Sequence, residues 1–231
     1  QHAAVLRAQG GSVDLPRVRR RGQEHLARGR SRPARRFRPD VAHALYVTDA
    51  IAAMRAKGIR VVFLTNEPAS SRSGLATRLT DMGIPSTEAD IVTSAAATAR
   101  VVGALEGLAS RRALVIGPPA LHDEIENVGF ELVAEDEAIQ AQVVVVGGHE
   151  GFDYRELSAA TAAIRNGARL FATGRDAIFP TPAGPKPGTG SIVAAVETAG
   201  GASAVVAADT VVQGERRDSA LALGVITLLG T

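Results

Sequence analysis

The sequence predicts an α/β protein built on a parallel sheet with crossover helices. Three observations carry that reading. From Val47 onward helix and strand signals alternate. The strand signals are continuous apolar runs such as IRVVFLTN (59–66) and QVVVVGG (142–148), the pattern of strands buried on both faces. Glycines stand where the helical patterns stop.

Taken in order, TDAIAAMRAK (48–57) has apolar positions at helical spacing and Gly58 as its stop, and IRVVFLTN (59–66) follows as a strand. A helix over 71–81 ends before Gly83. The segment IPSTEADIVTSAAATARVVGAL then reads as a link, a β segment and a helix capped by Thr93 or Ser94. A second set follows: strands at 112–118, 129–133, 142–148 and 169–174, with helices at 119–128 and 154–166 between them. The stretch PTPAGPKPGTG (180–190) is rich in Pro and Gly and has no periodicity, so it is expected to be a loop or a crossing between domains. SIVAAVETAGG is a helix with a Gly stop, and ASAVVAADTVVQG and ALGVITLLGT are strand-like.

Composition narrows the chemistry. With 231 residues, 45% of them hydrophobic, the chain can bury a substantial core as one large domain or two small ones. It has no cysteine, which excludes disulfides, thiolate metal sites and cysteine nucleophiles. No run of 18 apolar residues and no secretory leader pattern is present, so a soluble cytoplasmic protein is expected. The net charge of +2 hides two opposite parts: residues 1–40 carry 11 Arg against Asp14, Glu24 and Asp40, and the rest is acidic. An Arg-rich arm can bind nucleic acid by releasing counterions from phosphates, but the acidic body argues against an extended basic surface. Residues 1–40 lack apolar periodicity and begin at Gln1, which reads as a fragment or an altered reading frame at the start.

The most informative element is FLTN. Thr65 and Asn66 lie at the carboxyl end of an apolar strand that leads by a short loop into a helix. In open α/β sheets ligands bind at that edge, and a hydroxyl, an amide and helix N-terminal N–H groups suit phosphate. The alternative is that both residues merely end the strand and start the turn.

Two longer stretches carry a resemblance. GIRVVFLTNEPASSRSGLATRLTDMGIPSTEADIVTSAAATA runs strand, T-N, Ser-rich loop, helix, G-I and V-T-S-A. GHEGFDYRELSAATAAIRNGARLFATGRDAIFPTPAGPKPGTGSIVAAVETAGG has a D-Y pair before a helix, then a G-A-x-x-[FI]-A-T strand and a P-x-x-G-x-x-P-G-x-G-S loop. Together, over residues 47–201, they resemble the NagD-like or 4-nitrophenylphosphatase branch (subfamily IIA) of the haloacid dehalogenase superfamily. The resemblance implies a Rossmann-like core with a parallel sheet, interrupted by an inserted α/β cap. The core would comprise residues 41–91 and 181–231, and the cap residues 92–180.

It also implies hydrolysis of a phosphoric monoester through an aspartyl-phosphate with Mg²⁺, on a small phosphorylated metabolite, in a chain that pairs as a homodimer through its cap. Thr65 maps onto the hydroxyl that holds the phosphoryl group, with Asn66 beside it, and Asp176 maps onto the cap loop that helps choose the substrate. In TVVQGERRDSALALGVITLLGT, Glu215 falls on a metal-binding Asp, with Asp218 its nearest substitute; the alternative for both is a solvated acid beside Arg216 and Arg217.

The sequence departs from the family pattern in three places. No D-x-D-G-[TV] stands in residues 1–46, and neither Asp40 nor Asp49 follows an apolar strand, so no nucleophile is assigned. No G-K-P follows the SIVAAVETAGG helix, and Lys186, in the PKPGTG loop, reads as a solvated side chain. Ala220 replaces the second metal-motif Asp. The five His are scattered without ligand spacing. Three functions follow as alternatives: a phosphatase impaired or inactive in this chain, a pseudoenzyme that binds a phosphorylated metabolite or a protein partner, and a nucleic-acid binder acting through its Arg-rich segment.

Overall fold

The computed structural model describes residues 39–66, 70–181 and 183–206. The Arg-rich segment up to residue 38 and the strand-like ALGVITLLGT lie outside the described residues.

Helix α1 (Pro39–Ala56) starts earlier than periodicity suggested, with Pro39 in its first turn, where a missing N–H costs nothing. It ends where expected. Gly58 takes φ 75°, and the Gly58 and Ile59 amides donate to the Arg55 and Met54 carbonyls, closing the helix with a paired C-terminal motif. Strand β1 (Phe63–Thr65) is shorter than the expected 59–66. Helix α2 (Arg72–Asp81) is capped by Ser71, whose Oγ accepts from the Gly74 amide at 3.1 Å. Strand β2 (Ile91–Thr93) pairs in parallel with β1, Phe63 opposite Ile91 and Thr65 opposite Thr93. Ile51, Phe63, Leu75, Leu79, Ile84 and Ile91 form the core of this two-stranded unit. Between the two candidates for the next cap, Thr93 is the one: its Oγ1 accepts from the Ala96 amide at 3.0 Å, and α3 (Ser94–Gly103) follows.

The larger unit is a five-stranded, all-parallel sheet. Its strands are β3 (Arg112–Ile116), β4 (Glu131–Leu132), β5 (Val143–Val146), β6 (Arg169–Ala172) and β9 (Val205–Val206), ordered β4-β3-β5-β6-β9. Starting from β3, the chain places its second strand on one side and the others in sequence on the opposite side, the order of a doubly wound sheet. Alternate residues face opposite layers, as strand geometry dictates. Leu114, Ile116, Val144, Val146 and Leu170 pack toward α5 (Tyr154–Arg165) and α6 (Thr189–Gly200). Ala113, Val143, Val145 and Phe171 pack toward α3 and α4 (Pro119–Asn127). All four valines of β5 are fully buried, which is why that run is apolar without interruption.

Two expectations change. Residues 180–190 are not simply a loop: β7 (Ile178–Thr181) and β8 (Gly184–Pro187) form an antiparallel hairpin, with Phe179 opposite Lys186. And the five-stranded unit does not stop at residue 180, because α6 packs beside α5 and β9 joins β6. The reason is that β9 completes the sheet edge, a role its two apolar residues do not announce. No helix among the described residues is long and apolar enough to cross a membrane.

Asp153 caps α5, accepting from the Arg155 and Glu156 amides at 2.8 and 3.0 Å, while Glu156 reaches back to the Asp153 amide. The Glu156 and Arg155 amides, in that order, with the nearby Arg155 and His149 charges, hold the Asp153 carboxyl below its usual range. A depressed carboxyl stabilises the fold above the unfolded-state value of about 3.9 and loses that contribution as pH falls through the folded value. The difference in melting midpoint between the native chain and Asp153→Asn is therefore expected to be largest above about pH 5 and to shrink as pH falls through the depressed folded value. A difference that grew with acid would refute the assignment.

Candidate functional site

Thr65 ends β1 and Asn66 follows it, both at the carboxyl end of the parallel β1–β2 pair. Asp176 follows β6, at the carboxyl edge of the other sheet. The structure brings the two edges together: Asn66 Nδ2 donates to Asp176 Oδ2 at 3.4 Å, a long hydrogen bond across 110 residues of chain. Asn66 and Asp176 thus meet, with Thr65 the residue before Asn66 on the chain. Glu215 and Asp218 lie outside the described residues.

A second bridge ties the same two units. Arg72, the first residue of α2, makes a two-pronged contact with Glu124 of α4, Nε to Oε1 at 2.6 Å and an Nη to Oε2 at 3.2 Å. The Glu124 carboxylate raises the Arg72 guanidinium above its ordinary value, against a smaller opposing effect of burial. Neither residue was singled out from the sequence, because an ion pair 52 positions apart leaves no periodic trace.

The loop carrying Asp176 is held by the start of α6. The Gly190 amide donates to the Asp176 carbonyl and the Gly188 amide to the Ala177 carbonyl, both at 2.9 Å, and Ser191 Oγ donates to the Ala177 carbonyl at 2.8 Å. A Cβ on Gly188 would stand 2.3 Å from the Asp176 carbonyl oxygen, and one on Gly190 would stand 2.3 Å from that of Arg175. The P-G-x-G-S signal seen in the sequence is therefore a cradle for the loop bearing Asp176, and only hydrogen at those α-carbons permits the approach.

Other charged groups in the neighbourhood are paired. Lys186 of the hairpin, half exposed, meets Glu150 at 2.5 Å. His149 Nε2 lies 3.1 Å from Glu156, and the Gly151 amide donates to its Nδ1. A separate opening of about 910 Å³ at the carboxyl ends of β3 and β4 is lined by His122, Glu135, Asp136 and Glu156 among others, and includes neither Asn66 nor Asp176.

Comparison with known proteins bears on the family and the fold. Residues 45–131 match the family described as haloacid dehalogenase-like hydrolase. The 5'-nucleotidase YutF of Bacillus subtilis is 30% identical over 155 residues, covering 67% of this chain and 58% of that protein. The chain thus spans little more than half the length of that curated relative. The crystal structure of hypothetical protein PH1952 from Pyrococcus horikoshii OT3 superposes with a TM-score of 0.67 at 30% identity, over 73% of this chain and 68% of that one. The glycerol phosphate phosphatase of Mycobacterium tuberculosis, solved in complex with magnesium, superposes with a TM-score of 0.59 at 33% identity, over 68% and 49%. With the T-N strand end, the cradled Asp176 loop and the matching sheets in place, the chain belongs to the haloacid dehalogenase-like hydrolases, in their NagD-like branch.

Proposed function

We propose that this chain binds a small phosphorylated metabolite, a sugar phosphate or a related phosphoric monoester, in the manner of a haloacid dehalogenase-type phosphatase, and that its turnover is impaired. The contact between Asn66 and Asp176 carries the reading, because it joins the proposed phosphate end of the site to the proposed selecting end. Thr65 Oγ and the Asn66 amide donate to phosphoryl oxygens, at a strand edge suited to anions. Asp176, an acceptor when ionised, takes a hydrogen bond from a hydroxyl on the leaving group. The proposed impairment rests on the sequence alone, in which residues 1–46 hold no D-x-D pair to supply the attacking carboxylate.

Magnesium, where bound, neutralises charge on the phosphoryl group. The described residues do not fit it by themselves, since no group of three His, Asp or Glu side chains among them is gathered to hold a metal ion. Glu215 and Asp218 are the proposed ligands on the strength of the family pattern alone. What Thr65, Asn66 and Asp176 do, binding and orienting the ester, does not depend on them.

Calorimetry with inorganic phosphate and hydrolysis of 4-nitrophenyl phosphate with Mg²⁺ test the two halves of the reading. Phosphate is expected to bind the native chain and to bind Thr65→Ala about tenfold more weakly, the effect of one lost hydrogen bond to a charged group. Little or no 4-nitrophenol is expected from either protein. Brisk hydrolysis that vanishes in Thr65→Ala would reveal a nucleophile and refute impairment. Equal phosphate binding by both proteins would remove Thr65 from the site.

A further inference from the structure

The loop that presents Asp176 is fixed from two directions by one helix. The first turn of α6 holds the main chain at Asp176 and Ala177, as described above. The last turn holds the preceding residue: Arg175 reaches Glu197 with contacts of 2.6 and 3.2 Å to its two carboxylate oxygens. The same guanidinium donates to the Ala204 carbonyl at 3.1 Å, and Glu197 Oε1 accepts from the Ala204 amide at 2.7 Å. Arg175, Glu197 and the Ala204 peptide therefore close a ring that joins the Asp176 loop to the end of α6 and to the chain entering β9.

An isolated exposed ion pair contributes little, because water screens it and two long side chains lose freedom. This one differs in geometry. It is two-pronged, and each partner also satisfies a main-chain group of Ala204, so neither can move without breaking a second bond. The Arg175 contact and the Ala204 amide also hold the Glu197 carboxyl below its ordinary range.

We propose that Glu197 is a positioning residue for ester recognition, acting through Arg175 to aim the Asp176 loop at the leaving group. This rests on the reading of Thr65, Asn66 and Asp176 as the substrate site. It also predicts a division of labour. Thr65 and Asn66 hold the phosphoryl group, which every phosphate ligand shares. The Glu197–Arg175 ring governs only the part of the ligand beyond the ester oxygen.

The test uses two probes on the full chain, inorganic phosphate and D-glycerol 3-phosphate, with binding measured by calorimetry for the native chain, Glu197→Gln, Arg175→Ala, Glu197→Ala and the double alanine variant. The Kd for glycerol phosphate is expected to rise about five- to tenfold in each variant, with that for inorganic phosphate unchanged within about twofold, since small misplacements of a contacting group cost affinity steeply. The double variant should be no worse than either single alanine variant, the signature of two residues acting as one unit. Amide hydrogen exchange over residues 174–177 should speed up in the same variants. Equal losses for both probes, an unchanged Kd for glycerol phosphate, or unchanged loop exchange would each overturn the positioning role. A native chain that binds neither probe would instead sink the substrate-site reading and the positioning role with it, an outcome told apart by the native measurement alone.

Discussion

Gly190→Ala is expected to destabilise the chain by about 3 kcal/mol and to abolish the contact between Asn66 and Asp176, although alanine is the better helix former. Two effects oppose each other. Gly190 is the second residue of α6, where replacing glycine by alanine ordinarily gains up to about 1 kcal/mol of helix propensity. Against this, the new methyl would stand 2.3 Å from the Arg175 carbonyl oxygen and 2.6 Å from its carbon. Both are main-chain atoms that no rotamer change can move aside, so the loop must shift as a unit, at the upper end of the cost of overpacking. The clash wins. Urea unfolding should show a lower midpoint with an unchanged slope, and Gly188→Ala, equally close to Asp176, should behave alike. A Gly190→Ala chain as stable as the native one would mean that the Asp176 loop does not lie against α6.

The largest single loss is expected from Phe171→Ala, about 3–5 kcal/mol. Phe171 is 1% exposed, in the middle of β6, and packs with Val102, Leu121, Ile125, Val143 and Val145 under α3 and α4. A parallel sheet covered on both faces has little room to collapse onto the vacated volume, so most of the cavity cost should persist. Whole domains are stable by about 5–15 kcal/mol, and one such change removes a large part of that. Phe179 provides the contrast: it is 45% exposed on the hairpin, and Phe179→Ala should stay within about 0.5 kcal/mol of the native chain. Thermal or urea unfolding of the two variants side by side decides the matter. Similar losses at both positions would contradict the burial difference.

The helices were legible in the sequence because their ends are written locally. Ser71, Thr93 and Asp153 each supply a side-chain oxygen to an amide two or three residues on, and Gly58 and Gly83 stop the helices before them. The hairpin was not legible, because prolines read as punctuation, and the pairing of Phe179 with Lys186 depends on how α6 receives the returning chain. The strand signal at 205–206 was legible, but the sheet it joins was not, because the pairing of those valines with Phe171 and Ala172 of β6 leaves no mark in the local pattern. Thr65, Asn66 and Asp176 could be chosen one by one from motifs. That Asn66 touches Asp176, and that Arg72 meets Glu124, are facts of tertiary structure with no counterpart in spacing along the chain.

The hairpin β7–β8 sets Ile178 and Phe179 out in solvent, 63% and 45% exposed, at the end of an extended ribbon. An apolar ribbon of that kind is ordinarily a template on which other chains can add strands and aggregate. Here positions 180, 182, 185 and 187 are all proline, and proline has no amide hydrogen to offer a newcomer. Replacing those prolines with ordinary residues would restore the missing donors, so the same segment that returns the chain toward α6 also guards the molecule against sticking to its own copies.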